Sequence, residues 1–183
     1  MRKKPEITEQ TRKNLVSAFW TLYMDKPVSR ITIAEITDLA GYTRATFYRY
    51  YTDVYELLEE EENSLLNQIR ELFESAAHTS DDVSLLSQAG AMLVVLRQNN
   101  LYASALLSDH GDPAFVNRLK DLLWPYISHY LLQLDTGGTY EAELLKEYYL
   151  SGIFGTVRKW LEDPQIEIDR LIQILAAMVT GSR

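Results

Sequence analysis

Apolar residues recur at helical spacing along the whole chain, and runs that alternate like strands are nearly absent. The first such stripe predicts a helix from about residue 8 to 24, with Leu15, Phe19, Leu22 and Tyr23 turned inward. Two short helices follow at 33–40 and 44–50, then a long one at 54–77. After the polar turn at 78–82, further helices are predicted at 83–98, 101–109, 113–134, 140–162 and 167–180. The punctuation agrees: Asp112-Pro113 suits a helix start, and Gly137-Gly138 and Asp163-Pro164 suit helix ends. The pattern predicts an all-α fold of about nine helices, with no internal repeat.

The segment 31–58 carries the most specific chemistry. Thr32 and Glu35 have the spacing of a capping box, and Gly41 can end the helix they open by adopting a left-handed conformation. Thr43 is placed to cap the next helix, and Asp53 with Glu56 repeats the capping-box spacing ahead of the long fourth helix. Two short helices across a glycine turn form a helix-turn-helix, whose second helix is a rod of roughly 10 Å that fits a major groove. Phe47 and Tyr51, four apart, are expected to pack on Ile36, Leu39 and Ala40. The opposite face then presents Ala45 and Arg49, flanked by Thr46 and Tyr48, with Arg44 at the exposed N-terminal end. Guanidiniums can bridge guanine edges or phosphates, and hydroxyls can donate to phosphate oxygens.

The run TIAEITDLAGYTRATFYRYYTDVYELL resembles the DNA-binding domain of the TetR family of transcriptional regulators. The similarity is close over about the first third of the chain; beyond it only length and helical content correspond. The resemblance implies that Thr43, Arg44, Thr46, Tyr48 and Arg49 face DNA and that Thr32 lies near a phosphate. It also implies a helical body that dimerises and binds a small molecule. In one respect the chain departs from the family pattern: many members carry a phosphate-gripping lysine at the start of the fourth helix, and Val54 stands there instead.

The formal net charge of −8 changes meaning once it is divided. Residues 1–53 hold nine Lys/Arg against six Asp/Glu, a balance of +3, whereas residues 54–183 hold nine against twenty, a balance of −11. Phosphate repels an acidic body and draws a basic head, which orients the molecule. The Arg2-Lys3-Lys4 run is either a solvated terminus or an arm toward the DNA backbone. The division predicts a helix-turn-helix domain at 1–53, continuing into the linking helix 54–77, and an effector-binding and dimerisation domain at 54–183. The apolar content of 46% suffices for a core, and no cysteine is present, which rules out disulfides and thiolate metal sites. The longest uncharged apolar run, 89–96, is too short to span a bilayer, so a cytoplasmic protein without a membrane partner is expected.

Three scattered histidines lack metal-ligand spacing, and there is no nucleotide-type glycine loop, HExxH or nucleophile elbow. An enzyme, a metal and a cofactor are therefore not expected. In the body, polar-tipped aromatics suggest an effector pocket built from Trp124, Tyr126, His129, Tyr130, Tyr148 and Tyr149, opened by a kink at Pro125. The helix 140–162 is apolar on two sides: Leu150, Ile153, Phe154, Val157 and Leu161 form one, and Tyr148, Gly152 and Gly155 lie on the other. Such a helix needs two neighbours. Dimer contacts are expected at Gly152, Gly155, Leu171, Leu175 and Val179, with the side of 140–162 that meets the partner left open. Together these features predict a homodimeric regulator of transcription. It would be a repressor released from a palindromic operator in double-stranded DNA by a small-molecule effector. The alternative is a coregulator of the same fold that binds proteins and not DNA.

Overall fold

The computed structural model describes residues 5–76, 90, 104–108, 110–131 and 138–180. Among these residues are seven α-helices and one 3₁₀ turn, and no strand. In chain order the helices are α1 (Pro5–Asp25), α2 (Ile33–Ala40), α3 (Arg44–Phe47), α4 (Val54–Ala76), α5 (Pro113–Leu131), α6 (Thr139–Glu162) and α7 (Ile168–Thr180). The 3₁₀ turn, Val28–Arg30, joins α1 to α2. The helices expected at 83–98 and 101–109 lie largely outside the described residues.

Local capping chemistry fixes the elements of the head. The Thr32 hydroxyl accepts from the Glu35 N–H, and the Glu35 carboxylate accepts from the Thr32 N–H at 3.0 Å, a complete capping box. Gly41 closes α2 at φ 75°, the only residue among those described in the left-handed region, where a side chain would be strained. The Thr43 hydroxyl accepts from the Thr46 N–H and opens α3. Ahead of α4, Asp53 accepts from the Glu56 N–H at 2.8 Å as expected, but the Glu56 carboxylate reaches back to the N–H of Thr52, not of Asp53. The box is thereby one residue wider.

The core runs continuously from head to body. Leu15, Phe19, Trp20 and Tyr23 of α1 meet Ile36, Phe47, Tyr51, Leu57 and Ile69, and the same cluster continues to Phe115, Leu119, Leu150 and Leu171. In contacts α1 packs on α2, α2 on α3, α4 on α5, and α5 on both α6 and α7. Helix α4 thus links both ends of the core: Arg12 of α1 pairs with its Glu60 and Glu61, and α5 packs along it. Phe73 of α4 and Tyr126 of α5 pack ring to ring at 4.5 Å.

Two expectations in the head need correction. The second short helix is one turn shorter than predicted: after Phe47 the backbone tightens to 3₁₀-type bonds, Arg49 N–H to Thr46 and Tyr50 N–H to Phe47. Leu39 does not pack on Phe47; it is 54% exposed. The buried side of α2 is centred on Ile36 and Thr37, and Leu39 lies three residues on from Ile36, on the far side from Thr37. Thr37 is tolerated there because its hydroxyl donates back to the carbonyls of Ile33 and Ala34.

Candidate nucleic-acid interface

The face of α3 and its following turn divides cleanly. Phe47 and Tyr51 are buried, while Thr43, Arg44, Ala45, Tyr48 and Arg49 are exposed and Thr46 is half-buried. Arg44 and Arg49 make no ion pair among the described residues, so both guanidiniums keep their donors for a ligand. Tyr48 is 59% exposed, and its ring lies edge-to-face with that of Phe47. The Thr43 and Thr46 hydroxyls lie 3.1 Å apart, and Thr43 also serves as the cap. Free cations and hydroxyls on a short convex element are suited to phosphate oxygens and base edges.

Three tyrosines hold this face in place, of which the sequence singles out only Tyr51, and that for packing and not for a hydrogen bond. The Tyr42 hydroxyl accepts from Asn14 at 3.0 Å, Tyr50 donates to the Thr8 carbonyl at 3.1 Å, and Tyr51 accepts from the Arg12 Nε at 3.1 Å. All three partners lie on α1. Burial first of all pushes the Tyr51 hydroxyl up to about 12, so it stays protonated and polar without charge. Arg12 continues to Glu60 and Glu61 of α4 at 3.1 and 3.5 Å, so one side chain ties α1, the turn after α3, and α4 together. The only signal in the sequence is the density of tyrosines around α3, which does not reveal their partners.

Thr32 and Val54 behave differently from Arg44 and Arg49. The Thr32 hydroxyl donates to the Glu35 carboxylate at 2.9 Å while accepting from its N–H. A phosphate there would have to displace Glu35, which is itself held by Lys26. The Lys26 and Thr32 hydrogen bonds draw the Glu35 carboxyl down to about 2. Val54 is 6% exposed and belongs to the core, so it offers no grip on a phosphate.

The body shows where the other predicted residues stand. Leu171, Leu175 and Val179 are not free for a partner: they are 2%, 9% and 8% exposed within the single chain. Leu150, Phe154, Val157 and Leu161 are likewise internal. The two sides of α6 thus separate, one spent on its own core and the other open. Gly152 and Gly155 are on the open side, with nothing among the described residues outside their own stretch of helix within 4 Å of where a Cβ would be. Tyr148 lies there too, 74% exposed, along with Tyr140 and Leu144 at the same four-residue spacing. It does not wall a cavity as expected, because it sits half a helical turn away from the buried Leu150. Trp124, Tyr126 and Tyr149 are half-buried, and Tyr126 is packed on Phe73. The side chains of His129 and Tyr130 lie outside the described residues.

Two clefts flank α6. One, of about 360 Å³, is lined by Leu107, Val116, Lys120, Phe154 and Arg158; the other, of about 610 Å³, lies over Gly152, Gly155, Trp160, Leu171 and Ile174. Neither touches the aromatics around Pro125. Among the described residues no group of acidic and histidine side chains could hold a metal, and no helix is long and apolar enough to cross a membrane.

A TetR family model described as the transcriptional regulator C-terminal region matches residues 84–181, more than half of the 183 residues. The chain belongs to this family. A probable HTH-type transcriptional regulator of Pseudomonas putida, ArpR, is 29% identical over 98 residues, 54% of this chain and 45% of that protein. The chain therefore spans about half the length of the curated relatives it matches. A TetR transcriptional regulator from Streptococcus agalactiae 2603V superposes with a TM-score of 0.66 at 26% identity, covering 95% of this chain and 96% of its own. NalD, described as the secondary repressor of the MexAB-OprM multidrug efflux pump in Pseudomonas aeruginosa, shares the fold at a TM-score of 0.66 and 18% identity, covering 95% of this chain and 96% of its own. The family match lies within residues 84–181, C-terminal to the helix-turn-helix.

Proposed function

We propose that this TetR-family protein is a homodimeric DNA-binding repressor whose head reads a palindromic operator and whose body answers to a small-molecule effector. One observation carries the DNA assignment: Arg44 and Arg49 stand exposed and in no ion pair among the described residues on the outer side of α3 and its following turn, while Phe47 and Tyr51 on the other side are locked into the core. Arg44 is the base-reading residue, because it begins the helix that enters the groove; Thr43, Thr46, Tyr48 and Arg49 hold the backbone on either side. Thr32 contributes through its cap, by fixing α2, and not as a phosphate ligand.

The dimer forms on the open side of α6. Gly152 and Gly155 let a second helix approach closely, and half-buried Ile174 with exposed Met178 of α7 border the same surface. The stripe Tyr140, Leu144 and Tyr148 extends it along α6. A two-fold axis through such a surface presents two heads to inverted half-sites. An effector that favours a body conformation with a different head spacing would release the operator.

Selection of duplexes from a random pool by the purified chain tests this directly. Enrichment of inverted repeats bound by a dimer is the expected result. Recovery of no preferred sequence in low salt, with and without a panel of apolar effectors, would leave the protein-binding coregulator as the better account.

A further inference from the structure

Where α1, α4 and α5 meet, the core contains a charge. Glu62 of α4 is 2% exposed, and one of its carboxylate oxygens accepts from Arg118 of α5. Arg118 also donates to Asn63 at 2.9 Å. The pairing is incomplete: Glu62 Oε1 and Arg118 Nε are both buried with no hydrogen-bond partner among the described residues. A buried charge with an orphan acceptor gains strongly from any conformation that admits water. The pair also bridges two helices that pack on each other, α4 and α5, so its state bears directly on whether they stay together.

We propose that the Glu62–Arg118 pair makes the α4–α5 joint a proton-closed hinge, in which ionisation of Glu62 favours opening. Every neighbouring element bears on that proton. On α4 itself Glu59 disfavours the carboxylate; Asp112, at the cap of α5, does so more strongly; Arg118 favours it. From α1 comes Tyr23, whose hydroxyl donates to the His110 carbonyl at 3.3 Å and is kept protonated, pushed up to about 12 by burial, then by Glu62 and Asp112. Burial, with Asp112 next, outweighs Arg118 and pushes the Glu62 carboxyl from 4.5 up to about 7. The closed joint therefore holds a proton that an open, hydrated carboxylate would release. Closure is fully favoured below 4.5 and weakens as pH rises through about 7. Across roughly pH 6 to 8 the open-to-closed ratio should rise about tenfold, because the open form is already ionised at the start of that range while the closed form passes from mostly protonated to mostly ionised across it.

Hydrogen exchange on the full chain, read at the amides of the first turns of α5 and corrected for intrinsic base catalysis, measures this ratio without any ligand. Wild type should lose about tenfold in protection over that range, and Glu62→Gln, a neutral group of the same shape, should stay protected throughout. Asp112→Asn keeps a good helix cap and should move the transition to lower pH, which preserves a test if the Glu62 variant folds poorly. Equal pH profiles for wild type and Glu62→Gln, or no shift of midpoint in Asp112→Asn, would overturn the proposal.

Discussion

Replacing Arg49 by alanine separates binding from folding more sharply than any other change in the head. The guanidinium is exposed and in no ion pair among the described residues, so its loss should leave thermal stability within about 0.5 kcal/mol of wild type. Its effect on DNA is electrostatic. In a dimer each substitution removes two phosphate contacts, and at about 0.9 ions released per contact the slope of log affinity against log salt should flatten by about 1.8. The gap between wild type and variant should then close about twelvefold as salt rises from roughly 50 to 200 mM. Titration of a selected duplex at several salt concentrations reads both numbers. Arg44→Ala should show the same flattening together with relaxed preference at one base position per half-site. An Arg49 variant that loses affinity by the same factor at every salt concentration, or that melts several degrees early, would refute the argument that this side chain is a free phosphate ligand.

Assembly offers a second contrast, because Met178 is 55% exposed whereas Leu175, three residues earlier, is 9% exposed. Met178→Asp should give a folded monomer by sedimentation; Leu175→Asp should lower the melting temperature drastically by burying a carboxylate. A Met178→Asp protein that remains dimeric would remove this face as the interface. Tyr51→Phe removes the acceptor for Arg12 Nε and should cost about 0.5–1.5 kcal/mol in chemical denaturation, with Arg12 still held by Glu60. For Glu35, held at about 2 against an ordinary 4.5, the capping contribution is present above 4.5 and lost as pH falls toward 2. The melting-temperature gap between wild type and Glu35→Gln should therefore shrink over that interval, and a gap independent of pH would contradict the capping role.

Local chemistry was readable from the sequence wherever one residue decides a backbone conformation. Thr32 with Glu35, Gly41, Thr43 and Asp53 each mark a helix end through a hydrogen bond spanning three residues or a single φ angle. Those bonds form whatever the rest of the chain does. The internal stripe of α6 was equally readable, because Leu150, Phe154, Val157 and Leu161 repeat at helical spacing. What the pattern cannot state is which neighbour a stripe meets. Leu171, Leu175 and Val179 have the spacing of a partner-facing seam, and in the chain they are absorbed by its own core. Tyr148 illustrates the converse: an aromatic suited to a pocket ends on the open face, because its angle from Leu150 places it there. The ties from Tyr42, Tyr50 and Tyr51 to α1 connect residues 28 to 42 apart in sequence, and no periodicity encodes such pairs.

The weak positive balance of the head becomes intelligible once its charges are placed. Arg12 is neutralised by Glu60 and Glu61, Lys26 by Glu35, and Lys13 lies 4.0 Å from Glu9. Arg30, Arg44 and Arg49 make no ion pair among the described residues, and two of these three stand on the outer side of α3 and its following turn. At physiological salt, fields between exposed charges fade over roughly 8 Å, so a phosphate at the groove wall responds to these near cations far more than to the acids of the body. Over longer distances the body's excess of negative charge disfavours any pose that brings it toward DNA. A net charge of −8 is thus compatible with the proposed nucleic-acid face, because Arg12 and Lys26 are spent on holding α1, α2 and α4 together while Arg44 and Arg49 are left out of ion pairs among the described residues.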